Sequence, residues 1–199
     1  MKNQDYLYLD HAASTPMRKS AMDKYIEAES YGYANSSGGH KLSRNSKNLL
    51  EDSREKIAEL LNAAQGEIVF TSGGTEADNW TIKSLFNSER PNDNLVTSNI
   101  EHEAVIASAE WVSSNGFHTK YAKSDKNGLV TKDEFLGQVD NDTKVASLMW
   151  GNNETGIIQP IKDIAREIKT INSSTLFHSD VVQGIISDNI DFHKNGIES

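Results

Sequence analysis

A glycine-rich turn, Ser72-Gly-Gly-Thr75, is the first stretch of this sequence whose residue types could do chemistry. It follows the β-forming run 68–70 and precedes helix-forming residues, which predicts a strand, a tight turn and a helix. Glycines let the backbone approach a ligand closely, and the first N–H groups of a helix attract an anion such as phosphate. Thr75 and Asp78 resemble a capping box, which predicts where the helix begins. Plain turn chemistry is the commoner explanation of a glycine pair, so this stretch alone leaves phosphate binding open.

Three more polar segments directly follow predicted strands: Asn99–His102, Gly151–Gly156 and Ser179–Gln183. Because ligands of parallel sheets bind at the carboxyl ends of the strands, we expect these segments and the glycine turn to converge on one crevice. Together they offer phosphate-binding backbone, an imidazole, amides and a carboxylate. Such a crevice resembles a site for pyridoxal phosphate, in which an aspartate pairs with the pyridinium nitrogen.

Taken one at a time, the same side chains have simpler explanations. Asp180 could cap a helix, and His102 could be a solvated residue at a helix start. Asn152 and Asn153 are typical turn formers, and Gln183 could be a surface amide. Only their joint placement at strand ends favours a shared site.

The pair His193-Lys194 could be taken for a Schiff-base site. We predict instead that the segment 191–196, which contains Gly196, is an exposed turn before the next strand.

Alternating strands and helices must position these residues. The predicted strands cover 6–9, 68–70, 94–98, 118–122, 145–150 and 175–178. The first predicted helix ends near residue 29. The other predicted helices cover 43–62, the residues after Thr75, 101–114, a short segment from 131 and a segment from 160. The polar segment 31–40 is predicted to be a loop. Helices between strands imply right-handed crossovers, and hence an α/β fold with a largely parallel sheet covered on both faces.

Composition narrows the classes of function. The chain has 199 residues and a formal net charge of -9, which argues against nucleic-acid or anionic-membrane partners. It has no apolar run of about 18 residues, as a membrane helix requires, and its amino terminus lacks the apolar core of a signal peptide, so we expect a cytoplasmic protein. It contains no cysteine, which excludes disulfides, thiolate metal sites and thiol nucleophiles within these residues. No metal site is predicted.

Five ordered motifs make the sequence closely resemble the cysteine desulfurases, which belong to the class V aminotransferase group of pyridoxal-phosphate enzymes. They are Tyr8-Leu-Asp-His-Ala-Ala, Thr71-Ser-Gly-Gly-Thr-Glu-Ala-Asp-Asn79, Glu101-His102, Asn152-Asn-Glu-Thr-Gly156 and His178-Ser-Asp-Val-Val-Gln-Gly184. The resemblance implies a three-layer α/β large domain of a fold type I transferase and a homodimer. It also implies that residues 1–14 belong to the small domain, and that 15–199 form a partial cofactor-binding large domain without its carboxy-terminal part.

The resemblance also implies roles for six residues toward pyridoxal 5'-phosphate. Gly74 and Thr75 would hold the phosphate, and His102 would stack on the ring and shuttle protons as the catalytic residue. Asn153 would lie near the ring hydroxyl and the substrate carboxylate. Gln183 would hydrogen-bond the ring hydroxyl. The ring nitrogen would pair with Asp180.

The activity implied is conversion of L-cysteine to L-alanine with an enzyme-bound persulfide, whose sulfur goes to scaffold proteins of iron–sulfur cluster assembly or to tRNA thiolation. Ser36 and Gly38 depart from the family's polar-loop motif. The family's Schiff-base lysine, in a Ser-x-His-Lys motif, and its nucleophilic cysteine fall beyond Ser199. We therefore expect these 199 residues alone to be inactive and to bind the cofactor weakly and non-covalently. The alternatives are another class V enzyme, namely an aminotransferase or a selenocysteine lyase, and a non-catalytic scaffold.

Overall fold

The computed structural model describes residues 7–86, 90–185 and 190–198, and the chain divides into two units. The first unit comprises the chain up to residue 60 together with 64–68, and the second comprises 61–63 and 69–199. The predicted division at residue 14 stays a prediction.

Two helices dominate the first unit: α1 is Lys19–Tyr31 and α2 is Lys41–Leu61, whose last residue belongs to the second unit. A 3-10 turn, Gln65–Glu67, follows. The Arg54 guanidinium donates to the Ile68 carbonyl and pairs with Glu51 at 3.2 Å, which holds the end of this unit against α2. The polar segment between the helices is a loop, as predicted.

A four-stranded parallel sheet forms the centre of the second unit. Its strands are β1 (Asn94–Ser98), β2 (His118–Ala122), β3 (Thr143–Ser147) and β4 (Leu176–His178), in the order β2-β1-β3-β4. The helices between and before them are α3 (Gly74–Leu85), α4 (Glu103–Ser114), α5 (Lys132–Leu136) and α6 (Ile161–Ile171). The predicted parallel α/β fold is confirmed.

Alternate residues of the central strands supply two separate cores. Leu95 and Val145 pack with side chains of α3 and α4, whereas Val96 and Ala146 pack with side chains of α5 and α6. Because successive side chains of a strand point to opposite faces of the sheet, the two cores lie on its two sides. The second unit therefore has three layers, as expected, with helices covering both faces.

Two predicted strands are wrong. Residues 68–70 and the described part of the predicted strand 6–9, residues 7–9, are not strands, although both runs are rich in β-forming residues; residue 6 lies outside the described residues. Leu7, Leu9, Val69 and Phe70 are largely exposed. A β-forming run becomes a strand only when a neighbouring backbone pairs with it, and the described strands pair with one another instead. In the part of the chain that the structure describes, no helix is long and apolar enough to cross a membrane.

Candidate functional site

The glycine turn leads directly into α3. Gly73 has extended backbone and precedes the first helical residue, Gly74, so the proposed capping box of Thr75 and Asp78 is wrong. The side chain that hydrogen-bonds the backbone ahead of the helix is instead that of Glu76, whose carboxylate accepts the Ser72 N–H at 2.6 Å. This hydrogen bonding to Ser72 lowers the pKa of Glu76. The helix begins two residues earlier than the pattern predicted, at Gly74 instead of Glu76, because an extended glycine, rather than a threonine, precedes its first turn.

The start of α3 lies against the turn that follows β4. A Cβ added at Gly74 would lie 3.2 Å from Cγ2 of Val182, so the Val182 side chain lies close against the first residue of α3. Asp180 is buried in this turn, where its Oδ1 accepts the Val182 N–H at 2.9 Å and its carbonyl accepts the Trp150 N–H at 2.8 Å. Asp180 therefore caps a turn rather than a helix.

Opposing influences act on the Asp180 carboxyl. Burial raises its pKa and the negative charge of Asp78 adds to this, whereas the Val182 N–H and the imidazoles of His178 and His102 act in the other direction. A cationic group brought next to Asp180 would favour its ionised form. This carboxylate is thus suited to pair with a protonated ring nitrogen.

His102 is the N-cap of α4, and its ring is exposed. Its Nδ1 accepts the Ala104 N–H at 3.1 Å, so the neutral ring carries its proton on Nε2. His102 is close enough to Asp180 to lower the pKa of that carboxyl. This position agrees with the simpler explanation of His102 as a solvated residue at the start of a helix. The same position leaves its ring accessible to a ligand.

The two neighbouring asparagines differ in environment. Asn152 is buried: its Oδ1 accepts the N–H groups of Glu154 and Thr155 at 3.0 and 2.8 Å, and its Nδ2 donates to the Ile100 carbonyl at 2.9 Å. Asn153 is exposed. The hydrogen bonds of Asn152 therefore hold the loop in shape, and the side chain that the loop leaves accessible is that of Asn153.

Gln183 is half-buried and lies beside the same loop, because a Cβ added at Gly151 would be 3.7 Å from the Gln183 carbonyl oxygen. The four polar segments thus meet at the carboxyl edge of the sheet, and the roles given to their residues stay predictions. Lys194 lies elsewhere, in the turn 192–196, where Gly196 has a φ of 68°. The predicted turn is confirmed, but its predicted exposure holds only for His193 and Lys194, since Asn195 is buried.

A buried polar group beneath this edge escaped the sequence prediction. His178 Nδ1 lies 2.8 Å from Ser147 Oγ, and its Nε2 lies 3.4 Å from Asp78 Oδ1. Glu101 is also buried, 8% exposed, and hydrogen-bonds Ser98 Oγ at 2.5 Å. The only signal in the sequence is that Ser147 and His178 are polar residues beside apolar ones, each at the end of its strand.

A close contact between Gly184 and Trp150 leads to a prediction of stability. A Cβ at Gly184 would lie 2.6–2.7 Å from three Trp150 atoms, including its Cβ, which is fixed by the backbone. We expect Gly184→Ala to lower the free energy of unfolding by about 1–3 kcal/mol through overpacking. Urea unfolding checks this, with Gly66→Ala as the control, since nothing lies within 4 Å of a Cβ at Gly66. Equal stability of the two variants would contradict the prediction.

Comparison with known proteins agrees with this architecture. The chain belongs to the aminotransferase class V family, whose sequence pattern matches residues 7–198. It is 38% identical over 193 residues to the cysteine desulfurase IscS of Methanosarcina thermophila, covering 96% of this chain and 47% of that protein.

Solved structures give the same result. One titled NifS-like protein superposes with a TM-score of 0.92 at 34% identity, over 96% of this chain and 53% of its own. Another, SspA in complex with cysteine, gives 0.89 at 32% identity, over 96% and 55%. The chain therefore spans about half the length of the relatives it matches.

Proposed function

We propose that this chain is the cofactor-binding part of a pyridoxal-phosphate-dependent cysteine desulfurase. The observation that carries the proposal is the buried carboxylate of Asp180, whose turn contacts the glycine start of α3 and which lies within electrostatic range of His102. The family membership and the name of the relative in Methanosarcina thermophila support it. So does the solved structure of SspA, a similar protein, in complex with cysteine.

The chemistry of the donors fits pyridoxal phosphate. The cofactor presents a phosphate, a flat ring, a ring hydroxyl and a basic ring nitrogen. The first-turn N–H groups of α3, at Gly74 and Thr75, suit the phosphate because that end of a helix dipole is positive. The His102 ring could stack on the face of the cofactor ring. The amides of Asn153 and Gln183 could hydrogen-bond the cofactor's ring hydroxyl, and the Asp180 carboxylate could pair with its ring nitrogen.

When bound, the cofactor supplies an electron sink for the electrons released at the substrate Cα. Asp180 would hold the protonated ring nitrogen of the cofactor through the negative charge of its carboxylate. Its orientation is fixed at both ends, by the Val182 N–H on its side chain and the Trp150 N–H on its carbonyl. This fixed orientation means that the negative charge requires no reorganisation during reaction.

His102 is placed to hold or move a proton at Nε2, because Nδ1 is occupied by the Ala104 N–H. An exposed imidazole with one free ring nitrogen can act as a general acid or base toward a bound substrate. We therefore assign the transfer of a proton to or from the substrate to His102.

The substrate we propose is L-cysteine, which would yield L-alanine and a persulfide. The thiol that accepts the sulfur must come from outside these 199 residues, since they contain no cysteine. A homodimer, and delivery of the sulfur to scaffold proteins of iron–sulfur cluster assembly or to tRNA thiolation, are part of the same proposal.

The test measures alanine formed from L-cysteine by the gene product that carries this chain, supplied with pyridoxal phosphate. We expect Asp180→Asn to lower kcat/KM at least about 100-fold, because the amide cannot hold the ring nitrogen's proton by charge. Asp142→Asn is the matched control: it makes the same chemical change at an exposed residue beside the amino end of β3. Alanine formed only from L-selenocysteine, or amino transfer without alanine formation from cysteine, would overturn the proposal.

A further inference from the structure

Two hydrogen bonds tie the turn that carries His102 to the loop that carries Asn153. The Glu101 carboxyl oxygen Oε1 accepts the Met149 N–H at 3.1 Å, and it also accepts the Ser98 hydroxyl at 2.5 Å. The Asn152 amide donates in the other direction, to the Ile100 carbonyl at 2.9 Å. The turn after β1 and the loop after β3 are therefore clamped side by side.

The second carboxyl oxygen of Glu101 shows the charge state of this clamp. Oε2 is buried and has no hydrogen-bond partner among the residues that the structure describes, and Glu101 forms no ion pair there. A buried carboxylate with one oxygen unpaired and no cation beside it is far more costly than a neutral carboxylic acid. The geometry thus favours an acid that keeps its proton.

Nearby charges reinforce this state. The carboxyls facing Glu101 are Asp78 on α3 and Asp180 after β4, and both oppose a further negative charge. The imidazole of His178 is paired with Asp78, and His102 lies on the exposed side of the turn. Burial is the largest cause that raises the pKa of Glu101, to about 8.

We propose that Glu101 is a positioning residue, an uncharged acid that holds the His102 turn against the loop of Asn152 and Asn153. The importance of this placement for catalysis rests on the proposed function, but the clamp and its protonation do not. Glutamine would keep the shape, the neutral charge and both accepted hydrogen bonds. Alanine would remove the clamp.

The protonation predicts a pH dependence of stability. The pKa of Glu101 in the folded state, about 8, lies above its ordinary value of 4.5. The folded state therefore holds this proton more tightly, and the stability due to Glu101 is lost as the pH rises from 4.5 to 8. Each pH unit in that range changes the unfolding equilibrium constant about tenfold. Glu101→Gln lacks the titrating group and escapes the loss.

Urea unfolding of the gene product at pH 5 and pH 7 tests the charge state. Relative to the native protein, Glu101→Gln should gain about 100-fold in its folding equilibrium constant between these pH values. Glu110→Gln, an exposed change on α4, should gain nothing. A Gln variant with the same pH dependence as the native protein would overturn the proposal.

Nuclear magnetic resonance of ¹⁵N-labelled histidine tests the positioning. The His102 ring signals, assigned by their loss in His102→Gln, should persist in Glu101→Gln and shift in Glu101→Ala. Unchanged signals in Glu101→Ala would overturn positioning, and if that variant does not fold, the pH comparison of the Gln variant still decides. Neither readout needs the cofactor, so failure to make alanine from cysteine would reject the proposed function and leave this result standing.

Discussion

Replacing Asp78 by alanine is expected to lower the free energy of unfolding by about 1–3 kcal/mol, because the change leaves the buried imidazole of His178 without its polar counterpart. Asp78 and His178 are 5% exposed each, and the Asp78 carboxylate lies 3.4 Å from His178 Nε2. Urea unfolding measures the effect. Asp52→Ala removes an exposed carboxylate of α2 and should change the stability by less than about 0.5 kcal/mol.

A double-mutant cycle isolates the contact itself. If Asp78 and His178 stabilise each other, the double variant Asp78→Ala with His178→Ala should lose less stability than the two single variants added together. Strict additivity would show that the two side chains do not interact.

The Phe177→Ala variant is expected to lose about 3–5 kcal/mol of stability, because a fully buried aromatic ring leaves a cavity. Phe177 of β4 is fully buried and meets Phe135 of α5 edge to face, with ring centroids 6.5 Å apart. Chemical unfolding monitored by circular dichroism measures the loss.

The control for this change is Leu60→Ala, in which a side chain 77% exposed is shortened to the same methyl group. It should cost far less, because little apolar surface is returned to water. A Phe177→Ala variant as stable as the Leu60→Ala variant would mean that β4 does not contribute to the core as the structure shows.

Local patterns predicted the bounds of some strands to the residue. The bounds of β1 and β2 are those predicted, because each run ends in residues that break a strand. Helix α6 was equally clear, since its isoleucines recur with helical spacing and Pro160 precedes its first residue. The run 68–70 failed because strand formation requires a partner, and a local pattern carries no information on pairing.

The site was predictable only in part, for the same reason. The rule for parallel sheets placed the four polar segments at one edge without any knowledge of side-chain contacts. The buried group below them could not be predicted, since Asp78 and His178 meet only after α3 packs beside β4. In the sequence Glu101 is only the neighbour of His102, and its hydrogen bond from the Met149 N–H joins residues 48 positions apart, which a local pattern does not reveal.

The hydrogen bonds of Asn152 have an entropic consequence. The side-chain oxygen Oδ1 of Asn152 accepts three hydrogen bonds from Glu154 and Thr155. Its backbone carbonyl accepts the N–H of Gly156 at 2.9 Å, and Gly156 adopts a φ of 73°. The shape of the loop is therefore fixed when the chain folds. A ligand that contacts Asn153 meets an ordered backbone, so none of its binding free energy is spent on immobilising this loop.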